Sequence, residues 1–331
     1  MSRQPHKPRQ RGAAILTAML LVTLVASLSA TALWQQWRGI EVETAERARA
    51  QSAWVLQGAL DWARLILRED GREGGTDHLA EPWAVPLQEA RLSTFLATDA
   101  GSSDTTEAMP EAFLSGQISD LQARLNTTNL IENGRPHPPS VLAFARLFEA
   151  LRLPKGELAG LIQNLQHALE PDTSATRGAQ NQPSNAQFAA LLPRNVDQLA
   201  WLGVSQATIA VLRPYITVLP ERTAVNLNTA PALVLFACIP TFSMANAQRL
   251  EAARMQSHYQ TLTDAAKIIG GAESPLKEGL HGVSSRFFEV RGQLRLGTRV
   301  VQERSLVQRD GLVVKVLGRE RVALPLAGSL Q

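Results

Sequence analysis

One long apolar segment lies near the N-terminus. Residues 13–33 contain no charged residue and no proline, and Trp34, Trp37 and Arg38 follow them closely. A helix of this length spans roughly 32 Å, which matches the hydrocarbon core of a bilayer. Tryptophans are typical of the membrane–water interface. The pattern therefore predicts a transmembrane helix over residues 13–33.

The following segment has the period of an amphipathic helix. Its residues are mostly good helix formers, and apolar side chains recur every three or four positions. These positions are Ala53, Leu56, Leu60, Ala63 and Leu67, with Trp54 and Val55 predicted to widen the same face. We predict a stalk helix over residues 34–70 that continues the membrane helix and ends near Gly71.

Alternating apolar and polar residues near the C-terminus predict a sheet. The alternation covers 287–296 and 300–309, separated by Gly297-Thr298, and Asp310-Gly311 precedes a third run at 312–317. This pattern is typical of a three-stranded antiparallel meander. A further strand is predicted over 114–125. The amphipathic helix is the available cover for one face of the sheet; the alternative is a separate small β-domain.

The middle of the chain, about 139–280, is predicted to be helical. The expected helices cover 140–153, 155–170, 196–202, 205–216, 231–239, 244–256 and 262–269. Two stretches, which begin at Leu199 and Leu235, each have an apolar helix end, a tight turn and a second helix. They resemble helix-hairpin-helix motifs.

The second of these motifs follows the segment VNLNTAP at 225–231. Asn228 or Thr229 is predicted to cap the next helix, and Pro231 fits its first turn. We interpret Asn226, Asn228, Thr229 and Pro231 as a structural motif and not as catalytic residues.

The excess of positive charge lies at the N-terminus. The chain has 33 basic and 30 acidic side chains, and four of the cations lie in the first eleven residues, which contain no acid. Cations on this side of the apolar segment predict a cytoplasmic N-terminus and an exported body. The alternative is a cleaved secretory signal peptide, for which Ala30-Thr31-Ala32 is an acceptable cleavage site.

The sequence contains no recognisable spacing of catalytic residues. Cys238 stands alone, and no glycine-rich phosphate loop follows a predicted strand. The histidines are dispersed, at His6, His78, His137, His167, His258 and His281. We predict that the protein is not an enzyme.

The hairpins carry one glycine and no lysine, and the body has no basic excess, which argues against nucleic acid as a partner. A membrane-anchored DNA receptor for uptake is the alternative function.

A basic leader that ends in Gly12, followed by an apolar helix, resembles the type IV pilins and pseudopilins. The resemblance implies that a prepilin peptidase cleaves between Gly12 and Ala13 and methylates the new N-terminus. The fifth mature position is Thr17, where most members carry a glutamate that pairs with the neighbouring subunit's amine. Absence of that glutamate is characteristic of the K-type minor pseudopilins of type II secretion. The segments EPWA at 81–84, 115–126, NLI at 129–131 and VNLNTA at 225–230 also resemble that type.

The K-type resemblance implies an α+β fold, in which a type IV pilin-like long N-terminal helix packs on an antiparallel sheet with a large helical (helix-hairpin-helix or SAM-like) insert. It predicts a leader at 1–12, a transmembrane helix at 13–33, a stalk at 34–70, a first part of the head at 71–138, an insert at 139–280 and C-terminal strands at 281–331. The implied location is the inner membrane, with a periplasmic head. The subunit would cap the pseudopilus tip, initiate its assembly and contribute to protein export across the outer membrane. The implied partners are the I- and J-type minor pseudopilins, the major pseudopilin and the prepilin peptidase.

Calcium is the ion that this resemblance implies. The family's acidic loop corresponds to 161–180, where Gln163, Gln166 and His167 stand near the expected acids. Glu170 and Asp172 remain, and Gln180 replaces the last acid. A second acidic group is formed by Asp99, Asp104 and Glu107. Because the loop is depleted of acids, we assign no metal ligands.

Overall fold

The computed structural model describes residues 11–92, 111–169, 191–269, 275–297 and 299–322. The chain divides into two compact units, Met1–Gln57 and Gly58–Gln331. Helix α1 (Arg11–Glu73) begins in the first unit and ends in the second, two residues beyond the predicted end. The predicted head and insert both lie within the second unit, and the finer division into six segments stays a prediction.

A five-stranded antiparallel sheet has the strand order β1-β2-β9-β10-β11. Its strands are Leu87–Arg91, Ala112–Asp120, Phe287–Leu296, Arg299–Asp310 and Val313–Val322. The predicted C-terminal meander is confirmed. Gly297 and Gly311 lie in its two turns with φ of 56° and 57°, a conformation that glycine adopts without steric cost.

The strand predicted over 114–125 is wrong at its C-terminal end. Strand β2 stops at Asp120, whose carboxylate accepts a hydrogen bond from the backbone N–H of Gln122 at 2.7 Å. An Asx turn of this kind competes with the extended conformation. The chain then forms a separate short strand, β3 (Leu125–Asn126), parallel to β6 (Ile216–Thr217).

The end of α1 covers one face of the sheet, which excludes the separate small β-domain. Leu60, Ala63 and Leu67 of the helix share a buried core with Trp83 and with residues of the sheet. The sheet residues in this core are Ile118, Phe288, Val290, Val307 and Val314. Burying these side chains is the main stabilising contribution of this layer.

Trp54 does not belong to the buried face of α1, contrary to the prediction. Its side chain is 77% exposed, whereas Leu56 is 2% exposed. At about 100° per residue, position 54 lies about 200° from position 56, on the opposite side of the helix.

The remainder of the second unit is mostly helical and has its own core. Its helices are α2 (Pro138–Ala150), α3 (Lys155–Leu169), α4 (Gln206–Leu212), α5 (Ala232–Cys238), α6 (Met244–Gln256) and α7 (Leu262–Ile269). The segment Val196–Leu202 is a 3₁₀ helix and not an α-helix. Helix α4 ends at Leu212, earlier than predicted, because Pro214, which follows the C-cap residue Arg213, has no backbone N–H to continue the helical hydrogen bonds.

Short elements connect these helices to the sheet. A tight hairpin links β4 (Ile131–Glu132) to β5 (Arg135–Pro136). Strand β7 (Val225–Asn226) pairs in parallel with β8 (His281–Gly282). Two further 3₁₀ helices cover Pro82–Ala84 and Thr127–Leu130.

Candidate functional site

The apolar part of α1 is a candidate membrane anchor. Its most apolar 18-residue window has a mean hydropathy of 2.1, and none of that window is buried in the structure. A fully exposed apolar helix of this length requires an apolar surrounding. The hydroxyls in this segment donate to backbone carbonyls three or four residues earlier, at 2.7–3.0 Å, from Thr17, Thr23, Ser27 and Thr31. These bonds lower the cost of placing hydroxyls in lipid.

The processing residues lie at the start of this helix. Gly12 and Ala13 are the second and third residues of α1. At the fifth mature position, Thr17 Oγ1 donates to the carbonyl oxygen of Ala14 at 3.0 Å. Cleavage between Gly12 and Ala13 and the special role of Thr17 stay predictions.

A buried carboxylate joins three separate parts of the second unit. Asp120 accepts hydrogen bonds from Ser285 Oγ at 2.6 Å and from Thr229 Oγ1 at 2.5 Å. Asn226 Nδ2 donates to the same carboxylate at 3.0 Å. Burial raises the pKa of Asp120, and these hydrogen bonds oppose the increase. Several donors around one carboxylate make its burial tolerable.

Asn226 and Asn228 of the VNLNTAP segment are both buried and fully engaged. The backbone N–H of Asn226 donates to the carbonyl of Gln122 at 2.9 Å, and its Oδ1 accepts from the N–H of Asn228 at 3.0 Å. Asn228 bonds reciprocally with the backbone of Tyr259, at 2.9 Å to its oxygen and 2.8 Å from its nitrogen. These bonds tie the segment to the head on one side and to the loop after α6 on the other.

The predicted capping role of Asn228 or Thr229 is wrong. Helix α5 begins at Ala232. Pro231 is its N-cap residue, and its side chain makes no capping hydrogen bond. Thr229 bonds Asp120 instead, which lies 109 residues earlier in the chain. Local spacing could not reveal so distant a partner.

A polar cleft of about 240 Å³ lies between the end of α1 and the turn that joins β10 to β11. Asp70, Asp77 and Glu81 each place a carboxylate oxygen within 4.8 Å of the others. Arg309 donates to Asp70 and, at 2.5 Å, to Asp77. The guanidinium is thus the cation that Asp70 and Asp77 share, and we assign no metal ligand here. Sequence analysis missed this group, because the residues have no recognisable ligand spacing.

Burial changes the pKa values of the acids in this cleft. It raises the pKa of Asp77 to about 6, although the charge of Arg309 opposes the increase. It also raises the pKa of Glu81 to about 7, against hydrogen bonds from the N–H of His78 and from Trp83 Nε1. Desolvation favours the neutral form of a carboxyl group.

Two histidines that are far apart in sequence meet beside this cleft. The rings of His78 and His258 stack with centroids 3.7 Å apart and an interplanar angle of 18°. Burial lowers the pKa of His78, and the neighbouring His258 lowers it further. The pair connects the loop before the Pro82–Ala84 helix to the loop after α6.

In both helix-hairpin-helix motifs, the turn between the helices is hydrogen-bonded to a side chain from another part of the chain. Before α4, the N–H and Oγ of Ser205 donate to Glu157 Oε2 at 3.1 and 3.3 Å. Before α6, Arg146 donates to the carbonyl oxygens of Pro240 and Phe242. A carboxylate therefore lies at the first hairpin, where a DNA-binding hairpin would receive a phosphate.

The sequence-based metal candidates lie largely outside the described residues. This is the case for Asp99, Asp104, Glu107, Glu170, Asp172 and Gln180. Within the described part of the loop, Gln163, Gln166 and His167 belong to α3, and Leu161–Leu169 contains no carboxylate. The described part of the loop therefore offers no carboxylate ligand for calcium, and the rest of this expectation lies outside the described residues.

Known proteins match this chain over nearly its whole length. Two family models, both for type II secretion system protein K, cover residues 123–221 and 225–284. Type II secretion system protein K from Pseudomonas aeruginosa is 27% identical over 340 aligned residues, which cover 96% of each chain. The protein of the same name from Pectobacterium carotovorum is 23% identical, covering 95% of this chain and 97% of the relative.

A solved structure has the same fold. The GspK-GspI-GspJ complex from enterotoxigenic Escherichia coli contains a chain that matches with a TM-score of 0.62 at 16% identity, covering 85% of this chain and 99% of that one. The predicted α+β fold is confirmed.

A long N-terminal helix, apolar in its first part and packed on an antiparallel sheet in its last, defines a pilin-like subunit. Together with the helical insert and the matches above, it identifies the class as a pseudopilin. The chain belongs to the type II secretion system protein K family, and it is a minor pseudopilin of type II secretion.

Proposed function

We propose that this subunit occupies the tip of the pseudopilus together with the I- and J-type minor pseudopilins and initiates its assembly. The observation that carries this placement is the Thr17 hydroxyl, which is bonded to Ala14 within its own helix. A subunit without a carboxylate here has nothing to offer the amine of a subunit above it. The related Escherichia coli structure is a complex with GspI and GspJ, which supports the choice of partners.

Co-purification tests the choice of partners. The full-length chain should be isolated from membranes that also contain the I-type, J-type and major pseudopilins. We expect the I- and J-type subunits in about equal amounts with it, because closed tip complexes have fixed composition. Recovery of the chain with the major pseudopilin alone would contradict the proposal.

We also propose that α1 anchors the chain in the inner membrane, with the N-terminus in the cytoplasm and the head in the periplasm. The cations of the leader support this orientation. In this account the prepilin peptidase removes residues 1–12 and methylates Ala13.

Replacing Gly12 tests the processing step. Gly12→Val should abolish cleavage, because a branched side chain would obstruct the peptidase at the scissile bond. Mass spectrometry of the membrane-inserted chain should then find residues 1–12 retained, whereas the wild type begins at Ala13. Gly39→Val is the matched control, since Gly39 has no atom within 4 Å of an added Cβ. A mature wild type that begins at Leu33 would indicate a signal peptide instead.

Catalysis and DNA binding are not part of the proposed role. The hairpins are occupied by Glu157 and Arg146, and the buried carboxylate of Asp120 is held by hydrogen bonds. Salt-dependent DNA binding by the full chain would favour the DNA receptor. Calcium stays an expectation from the resemblance alone.

A further inference from the structure

The cleft beside the end of α1 holds more acids than its cation can neutralise. The side chains of Asp70, Asp77 and Arg309 are 10%, 3% and 11% exposed, and both acids bond the same guanidinium. Glu81 is 18% exposed and lies within 4.8 Å of both carboxylates. The other cation that lines the cleft, Arg286, pairs with Asp310 and Glu221. Three close carboxylates with one guanidinium favour retention of a proton.

Glu81 is the acid that best accommodates this proton. Its Oε2 accepts from the N–H of His78 at 2.9 Å and from Trp83 Nε1 at 2.7 Å, and both donors are neutral. Its Oε1 lies 4.0 Å from His78 Nε2. A proton on Oε1 leaves both hydrogen bonds to Oε2 intact.

Glu81 also lies where its charge affects the junction between head and insert. Its hydrogen-bond partner His78 stacks on His258 of the helical insert. Gly74 and Gly75, with φ of 67° and 116°, precede this loop directly. Glycine adopts these conformations without steric cost, so the chain can turn away from α1 at this point.

We propose that Glu81 is a proton-binding site that controls the contact between the head and the helical insert. Protonated Glu81 holds the loop 76–81 closed on the insert. Ionised Glu81 faces the charges of Asp70 and Asp77, and their repulsion favours opening. The closed state binds the proton more tightly than the open state, so opening increases as pH rises through neutrality.

Hydrogen–deuterium exchange of the full chain in detergent micelles tests this proposal, in the presence of EDTA. Peptides that cover 76–85 and 257–261 are compared at about pH 5.5 and about pH 8, after correction for intrinsic exchange rates. In the wild type we expect about tenfold more opening at the higher pH. The effect is no larger because solvent partly screens the charge of Glu81. Glu81→Gln, which keeps both acceptor bonds and cannot ionise, should show no difference between the two conditions.

Two further variants identify the titrating group. Glu89→Gln should behave as the wild type, because Glu89 pairs with Arg295 on the exposed side of the sheet. His258→Phe keeps an aromatic ring on His78 and should also retain the pH effect. Loss of the effect in His258→Phe would make the imidazoles the sensor and overturn the proposal. An unchanged pH effect in Glu81→Gln, or no pH effect in the wild type, would also overturn the proposal. If Glu81→Gln fails to fold, the wild type and His258→Phe still test the proposal.

Discussion

At the scale of single residues, Asn226 connects several separate parts of the second unit through one side-chain amide. Its Nδ2 group lies at 3.0 Å from Asp120 Oδ2, 2.9 Å from Ser285 Oγ and 3.1 Å from the carbonyl of Asp77. The insert, strand β2 and the loop before β9 therefore meet at one amide. Buried polar groups with complete partners specify one arrangement of the chain.

Removing this amide should destabilise the protein. Asn226→Ala leaves Asp120 with fewer donors, and a buried acceptor without partners is costly. We expect a loss of about 2–3 kcal/mol in the free energy of unfolding, measured by urea denaturation of the full chain in micelles. The control is Asn246→Ala on the exposed side of α6, expected within about 0.5 kcal/mol of the wild type. Equal effects of both changes would contradict the structural role of Asn226.

The sequence indicated that Asn226 has a structural role, but it did not reveal the partners of its side chain. The VNLNTAP segment indicated structural polar residues near a helix start, and the capping role predicted for Asn228 or Thr229 was wrong. The bonds of Asn226 reach back 106 residues to Asp120 and forward 59 residues to Ser285. Periodicity and turn preferences describe neighbours in sequence, so such contacts are outside their range.

At the scale of elements, the end of α1 packs closely against the turn between β10 and β11. A Cβ atom at Gly71 would lie 2.7 Å from the carbonyl oxygen of Gly311. The helix can approach the hairpin this closely only because position 71 has no side chain. Next to this contact, Arg309 joins β10 to Asp70 of the helix.

Gly71→Ala should therefore be destabilising although alanine is the better helix former. The added methyl must displace backbone, and overpacking of this kind costs about 1–3 kcal/mol. Gly58→Ala on the same helix has no atom within 4 Å of the new Cβ. It should stabilise the protein by about 0.5–1 kcal/mol. The same urea denaturation measures both, and a stabilising Gly71→Ala would contradict this packing.

Two of the helices and the alternating C-terminal strands agree closely with the sequence prediction. Helices α6 and α7 have the predicted bounds, and the three C-terminal strands form the predicted meander. The end of β2 differs from prediction, because the backbone N–H of Gln122 donates to the carboxylate of Asp120 and ends the strand there. The helix predicted over 196–202 has the predicted bounds but is a 3₁₀ helix, and Asn195 accepts a hydrogen bond from the N–H of Gln198 at its start.

At the scale of the whole molecule, the charge distribution separates a basic leader from a near-neutral body. Without the first eleven residues the chain has 29 basic and 30 acidic side chains. A body of this charge has no net attraction to a polyanion, and the proposed assembly relies on packing between membrane helices and between heads. This agrees with a subunit of the type II secretion system protein K family.

Thr17 offers a test of the tip placement at this scale. Thr17→Val removes a hydroxyl that donates to the carbonyl oxygen of Ala14 within its own helix, and we expect secretion within about twofold of the wild type. Thr17→Glu adds a carboxylate in the apolar segment that has no subunit above it to pair with, which is costly in lipid. We expect secretion to fall about tenfold or more, measured as exported substrate. Full activity of Thr17→Glu would contradict an unpaired position at the tip.

The most direct measurement of the central claim is the position of this subunit on assembled pseudopili. A label on the head of the full-length chain is located by electron microscopy on pseudopili formed with the other pseudopilins. The account predicts a single label at one end of each pseudopilus. Labels distributed along the shaft would contradict it.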